Sequence, residues 1–302
     1  SYDIEPQKDY IMKRDTFLNS PSFKDKFLVT NPPFLAKNRS PDKQIFDMYN
    51  TDDLYKCFIR MISEDILSGG VIILPLNFLC SVRGNDLKIR KKFLREYNFV
   101  RVNIFEERFL KSCPKNSTPC ANLTPIIAIQ FTRRDKKQRN IPNAKFNIFP
   151  GKLTFEYSLN ASNNYSFGDN IFDKPIDSNI RVTRQTKDNQ DSKFKTRLFV
   201  RCMDLSGDIQ ISMKYTVCPD EIPCVSSGRT FITLVIDFKG RPLSFAEQQL
   251  LSLKFNAYLS ELRKQYHSLF LTSFGETKSI YRKRLSFTLC YRIVNYVLST
   301  MM

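Results

Sequence analysis

Histidine occurs once in this chain, at His267, and no two of its eight cysteines form a Cys-x-x-Cys pair. The nearest spacings, Cys113/Cys120 and Cys218/Cys224, are not those of a zinc ligand set, which argues against a metal site. No stretch approaches the ~20 apolar residues of a membrane-spanning helix, so a membrane ranks well behind nucleic acid as a partner. The start carries no signal peptide. In a chain of 302 residues the cysteines then read as reduced, partly buried thiols of a cytosolic or nuclear protein. The sequons at Asn116, Asn122, Asn160 and Asn164 carry no meaning there. Glycine is scarce, with nine residues and no Gly-x-Gly. Acidic side chains are outnumbered, 30 against 47 Lys and Arg.

The length predicts about two domains with ample core. The formal charge of +17 favours a polyanionic partner and says nothing about fold. An A/T-rich genome would inflate lysine by composition alone, but the cations cluster. They gather at Lys88/Arg90/Lys91/Lys92, Arg133/Arg134/Lys136/Lys137/Arg139, Lys193/Lys195/Arg197/Arg201 and Arg282/Lys283/Arg284.

The most informative stretch is Lys26 to Lys37. Phe27, Leu28 and Val29 suffice for one buried strand. Asn31-Pro32-Pro33-Phe34 stops it, because proline gives no N–H to a ladder and restricts the residue before it. The result is a rigid turn at the carboxyl end of a strand, where open α/β sheets place their ligands. It offers the Asn31 side-chain amide, the Pro32 carbonyl and the Phe34 ring. Two acceptors beside an aromatic face suit an exocyclic amino group on a flat base. On those four residues alone, an ordinary Asn-Pro turn reads as well.

Along the chain, Tyr2–Pro6 and Tyr10–Arg14 read as short strands with Asp3, Glu5 and Asp15 at their tips. From Asp52, the positions Leu54, Cys57, Phe58, Met61, Ile62 and Ile66 lie on one helix face, and Gly69-Gly70 is expected to end that helix. Val71–Leu74 reads as a strand buried on both faces, closed by Pro75. Asp86–Tyr97 is a basic helix, and Phe99–Phe105 and Pro125–Phe131 are strands. This alternation predicts a parallel, doubly wound α/β sheet. The character changes at Thr132, placing a domain boundary at 135–150. Beyond it, Phe231–Asp237 is a strand, Ser244-Phe-Ala-Glu247 is a capping box opening a helix, and Ile280–Leu298 reads as a last helix.

Taken in order, the acidic tips, Asn31–Lys37, Asp52–Phe58 with Asp53-Leu54-Tyr55, and Gly69–Ser81 resemble the amino-methyltransferases that modify N6 of adenine in DNA. The likeness is to the restriction–modification enzymes of bacteria and large algal viruses. By motif it covers roughly residues 1–131, and Tyr281–Leu298 looks like the closing segment of one subgroup. The resemblance implies a Rossmann-like sheet dependent on S-adenosylmethionine in residues 1–138 and a mixed α+β target-recognition domain in 139–302. It implies that Asp3, with Glu5 as a second candidate, accepts the cofactor's ribose hydroxyls, and that Asp15 accepts from its adenine amino group. Solvated carboxylates at strand ends are the commoner fate of such residues. It implies that Asn31 and Pro32 each accept one N6–H of a flipped adenine, with Pro33 fixing the turn. The resemblance further implies that Phe34 and Phe109 stack on the two faces of the base. Tyr55 and Pro75 line up with positions near the cofactor or serve as packing. The implied setting is the cytoplasm of a bacterium or of a large DNA virus's host. The implied partners are double-stranded DNA and a cognate restriction endonuclease that shares the site without a stable complex. No metal is implied.

One family feature is missing: the glycine-rich loop that cradles the methionine part of the cofactor. In this motif order it belongs before Ser1, with a central strand. The expectation is therefore that these residues alone bind the cofactor poorly and are unstable, since unpaired central-sheet backbone is costly. Two other readings stay open. One is a catalytically degenerate methyltransferase fold kept for DNA binding. The other is an RNA adenine N6-methyltransferase, which would need no recognition domain of this size.

Overall fold

The computed structural model describes residues 2–106, 125–168, 170–172, 174–205, 208–222, 230–275 and 281–301. The chain divides into two compact units, residues 1–79 with 83–160 and residues 80–82 with 161–302. In chain order the first part holds β1 (Tyr2–Asp3), β2 (Met12–Lys13), β3 (Phe27–Thr30), α1 (Gln44–Met48), α2 (Leu54–Ile62) and β4 (Gly69–Pro75). Then come α3 (Asn77–Cys80), α4 (Gly84–Glu96), β5 (Tyr97–Phe105), β6 (Ile126–Arg133), β7 (Ala144–Phe149) and β8 (Leu153–Tyr157).

Six of these strands form one sheet in the order β3-β4-β6-β5-β7-β8. It is mixed, not parallel as expected. β3 and β4 run parallel, β6 is antiparallel to both β4 and β5, β5 and β7 are parallel, and β8 turns back on β7. An apolar run such as Ile126–Ile129 is buried on both faces in either direction, so its sequence carries no sign of polarity. β7 and β8 also carry the first unit on to Asn160, past the expected boundary. The basic run 133–139 connects two strands of one sheet. Short β1 and β2 pair parallel with each other and with no other described strand.

α2 ends at Ile62, not at Gly69-Gly70. The Tyr97 hydroxyl accepts from Leu67 N at 3.2 Å and lies 3.0 Å from Asp65 O and 3.2 Å from Ile62 O. That substitute for a further helical turn draws the chain into β4. Tyr97 belongs to a ring cluster with Phe93, Phe99 and Phe131, centred on Phe93 at centroid distances of 4.8–6.0 Å. The two glycines open β4 because its neighbours leave no room for side chains. A Cβ on Gly69 would lie 2.6 Å from Phe131 O, and one on Gly70 would lie 2.9 Å from the Phe131 ring and collide with Leu28 O.

The second unit contains β9 (Ile180–Arg184), β10 (Lys195–Arg201), β11 (Met203–Leu205), β12 (Ser212–Tyr215), β13 (Phe231–Phe238), α5 (Phe245–Tyr266), β14 (Thr272–Gly275), β15 (Tyr281–Arg284) and α6 (Phe287–Ser299). β12-β10-β13-β9 is an antiparallel sheet, and β11-β15-β14 is a smaller one. The capping box is in place: Ser244 Oγ accepts from Glu247 N, and the Glu247 carboxylate accepts from Ser244 N. The expected helix from Ile280 instead begins as β15, and Ser286 then caps α6 by accepting from Leu289 N. Arginines and lysines at 282–284 satisfy a strand as readily as a helix, so pairing with β11 and β14 decides. α5 and α6 pack on the four-stranded sheet. Asn256 of α5 both donates to Met213 O and accepts from Met213 N, at 2.8 Å each. Asn295 of α6 donates to Ile180 O at 2.9 Å. Among the described residues no helix is long and apolar enough to cross a membrane.

Gly70→Ala tests the β3–β4 approach. It is expected to cost roughly 1–3 kcal/mol, the range for overpacking a tight site, and to raise amide exchange in Leu28–Thr30 selectively. Urea denaturation with hydrogen exchange reads both.

Candidate functional site

β3 is an edge strand, held by β4 on one side, with Phe27 and Val29 exposed. Its parallel register with β4, Thr30 opposite Ile72, points the carboxyl ends of both strands to the same sheet margin. The Asn31–Phe34 segment leaves the sheet there as irregular backbone, without the hydrogen-bonded turn expected from its sequence, and Pro75 closes β4 three residues beyond that pairing.

After this segment the chain does not wander. Leu54 N donates to Leu35 O at 3.0 Å, Lys37 N donates to Asp52 O at 2.9 Å, and Ala36 bridges Asp53. This short antiparallel ladder ties the segment to the amino end of α2. The Phe34 ring packs edge-to-face on Tyr55, centroids 6.1 Å apart. Tyr55 is buried, and burial pushes its phenol well above its ordinary value. It is the packing partner of Phe34, which accounts for its place in the motif.

Within the segment, Pro32 is buried while Asn31 and Pro33 are exposed and Phe34 is half-buried. Among the described residues neither the Asn31 amide nor the Pro32 carbonyl has a hydrogen-bond partner. The segment therefore holds two acceptors with no partner among the described residues, followed in sequence by a partly open ring, on a backbone paired at both ends.

Asp53, given no role by the sequence reading, stands just before α2. Its Oδ1 is buried and finds no partner among the described residues. Burial raises its carboxyl to about 6, against opposition from Lys56 and from the Tyr55 and Leu35 amides. Next to it, Lys56 contacts both Asp52, at 2.6 Å, and Asp86. Burial pulls the Lys56 ammonium down, but the two carboxylates outweigh that and hold it above its ordinary value. The signal in the sequence was an acid between the turn and an amphipathic helix, a position that usually reads as a plain helix cap.

The acidic tips are placed less decisively. Asp3 Oδ1 accepts from Glu5 N at 2.9 Å, and Asp15 Oδ1 accepts from Phe17 N at 2.9 Å and Leu18 N at 3.3 Å. Both are local turns, and each carboxylate keeps its second oxygen out of them. Glu5 is exposed. Neither strand tip is joined by the sheet to Asn31, and Phe109 lies outside the described residues.

No family model and no curated protein matches this chain. Solved structures give partial likenesses. One is a protein described as a modification subunit of a type I restriction enzyme from Vibrio vulnificus YJ016, with 15% identity over 46% of this chain and 29% of that one, TM-score 0.32. A second belongs to a type I restriction–modification system, with 14% identity over 49% and 29%, TM-score 0.33. A third is the M protein of the type I enzyme EcoKI, with 14% identity over 86% and 52%, TM-score 0.28. The chain spans less than a third of the length of the first two. All three are restriction–modification proteins, and at these TM-scores the likeness carries no argument about activity. What stands on this chain's own geometry is a mixed α/β protein with a polar segment, paired at both ends, at a sheet margin.

Asp53 gives this site a pH signature. A carboxyl raised in the folded chain from 3.8 to about 6 binds its proton more tightly folded than unfolded. Its favourable contribution is full below about pH 4 and is lost as pH rises through about 6. Asp53→Asn removes the buried charge but keeps the shape. The stability of Asp53→Asn relative to wild type is expected to rise between pH 4.5 and pH 7, measured by urea unfolding at both; a pH-independent difference contradicts the buried carboxyl.

Proposed function

We propose that the chain carries the target-base site of a site-specific DNA adenine N6-methyltransferase of the restriction–modification type. The observation that carries this reading is the pair of acceptors with no partner among the described residues, Asn31 Oδ1 and Pro32 O, next to Phe34 in a segment paired at both ends. An adenine amino group has two N–H donors. Donating both, one to each acceptor, fixes the amine and draws its lone pair out of ring conjugation. Phe34, braced from the side by Tyr55, offers a stacking face to a base taken out of the duplex. Positioning and a preorganised polar site then do most of the work, with no covalent enzyme intermediate.

The methyl donor on this reading is S-adenosylmethionine, which supplies an electrophilic methyl group on sulfur. The residues present fit part of it. Asp3 and Asp15 each keep one carboxylate oxygen for a ribose hydroxyl or an adenine amine. For its methionine end the described residues offer no glycine cradle, in line with the lack of any Gly-x-Gly. We assign the chain the base side of the reaction and the two carboxylate contacts, and derive no step at the donor. Phe109 is retained as the proposed second stacking ring, and the second unit, within the expected 139–302, as the proposed target-recognition region.

The test is adenine methylation in plasmid DNA from cells expressing the chain, read by long-read sequencing. Expressed within its full open reading frame, the chain is expected to methylate one short motif, with the signal abolished by Asn31→Ala and lowered at least tenfold by Phe34→Ala. Absence of methylation in all samples, with DNA binding retained, would leave the non-catalytic reading.

A further inference from the structure

The four-stranded sheet of the second unit has two unlike faces. In β10, Thr196, Leu198 and Val200 are buried, while Lys195, Arg197, Phe199 and Arg201 are not. Strand pairing extends this division across the sheet. Val200 stands opposite Met213 and Ile232, all three buried. Phe199 stands opposite Lys214 and Thr233, and Arg201 opposite Ser212 and Phe231, on the other side. Directly paired residues share a face, so this second face collects Lys195, Arg201 and Lys214 around two phenylalanines. Arg181, opposite Asp237 on the far strand, joins them.

Lys195 joins the face through its pairing with Val235, across an irregularity in the ladder between Lys195 and Phe199. Phe199 and Phe231 lie with centroids 6.5 Å apart, and the Arg201 guanidinium sits 5.5 Å over the Phe231 ring. Arg201 Nε is buried and has no hydrogen-bond partner among the described residues. The four strands together carry six Lys and Arg and a single acid, Asp237. Its carboxylate accepts from Gly240 N in the following turn, at 2.8 Å. Thr233 and Val235, small and buried, fill the middle of the face. Lys195 and Lys214 are exposed and Phe199, Phe231 and Arg201 are half-buried. A sheet face of this kind provides what a nucleic-acid strand needs: cations for phosphates, and ring faces on which any unstacked base can lie.

We infer that this face binds a nucleic-acid strand, with phosphates on Lys195, Arg201 and Lys214 and an unstacked base on Phe199 and Phe231. An acidic peptide or an anionic membrane would use the cations but would gain little from two tilted rings set between them. The inference rests on the nucleic-acid reading above, but not on methyl transfer.

Fluorescence anisotropy of labelled single-stranded and duplex oligonucleotides, over a salt series and without cofactor, tests it. Lys195→Ala/Arg201→Ala/Lys214→Ala is expected to weaken binding to both forms at least tenfold and to flatten the salt dependence by about 0.7 per lost contact on single strands. Phe199→Leu/Phe231→Leu keeps the cations and most of the volume. It is expected to weaken single strands several-fold with the salt slope unchanged. Lys136→Ala/Lys137→Ala/Arg139→Ala, an equal charge loss in the first unit, is expected to have a small effect, and thermal melting checks that each variant folds. Equal losses in the two triple variants, or binding to phosphatidylserine vesicles and not to oligonucleotides, would overturn the assignment. Unchanged single-strand affinity in the Phe199→Leu/Phe231→Leu chain would overturn the stacking role. Anisotropy without cofactor reads affinity and plasmid sequencing reads methylation, so failure of this face and failure of the methyltransferase reading give different results.

Discussion

The candidate site depends on the backbone-to-backbone approach of β3 to β4. An edge strand with exposed Phe27 and Val29 has little else to hold it. At Gly69 and Gly70 the absence of side chains lets β4 sit against both β3 and β6, with the Phe131 ring filling what remains. Burying Phe131 within the Phe93–Tyr97 cluster therefore fixes the position of β3 across the thickness of one strand. The Asn31–Phe34 segment inherits that position.

From the other end the segment is set by the ladder between Leu35–Lys37 and Asp52–Leu54. A segment held at both ends loses little conformational entropy when a ligand arrives, which is the requirement for a site built from main-chain and amide acceptors. Its electrostatics are one-sided. Asp53, Asp52 and Asp86 gather around Lys56 at the foot of α2, while the cations that could meet a polyanion lie on the sheet face of the second unit. On the proposed reading, base recognition and phosphate recognition fall to different elements.

Much of this was readable from residue order. Asn31-Pro32-Pro33-Phe34 announces a strand and a stop, and the structure ends β3 at Thr30, but the expected turn is an irregular segment. The Ser244–Glu247 box marked the start of α5 because two reciprocal hydrogen bonds require those side chains three residues apart. Strand direction was not readable: the buried Ile126–Ile129 segment looks alike whichever way it runs. Gly69-Gly70 misled because glycine ends helices and also permits close strand packing, and only the Phe131 carbonyl and ring, far away in sequence, decide between the two. The Asp53 carboxyl was hidden for a similar reason. Its surroundings include the Ala36 bridge and the Leu35 amide, which are far enough away in sequence that no local pattern records them.

The most direct test of the base-side assignment is an NMR titration of the chain, with labelled asparagine side chains and proline carbonyls, by an adenine-containing trinucleotide and by its N6,N6-dimethyladenine counterpart. The account predicts shifts of the Asn31 side-chain amide and the Pro32 carbonyl with adenine that are lost when both N6–H donors are replaced by methyl groups. Equal shifts with the two ligands, or none at these groups while other residues respond, would contradict it.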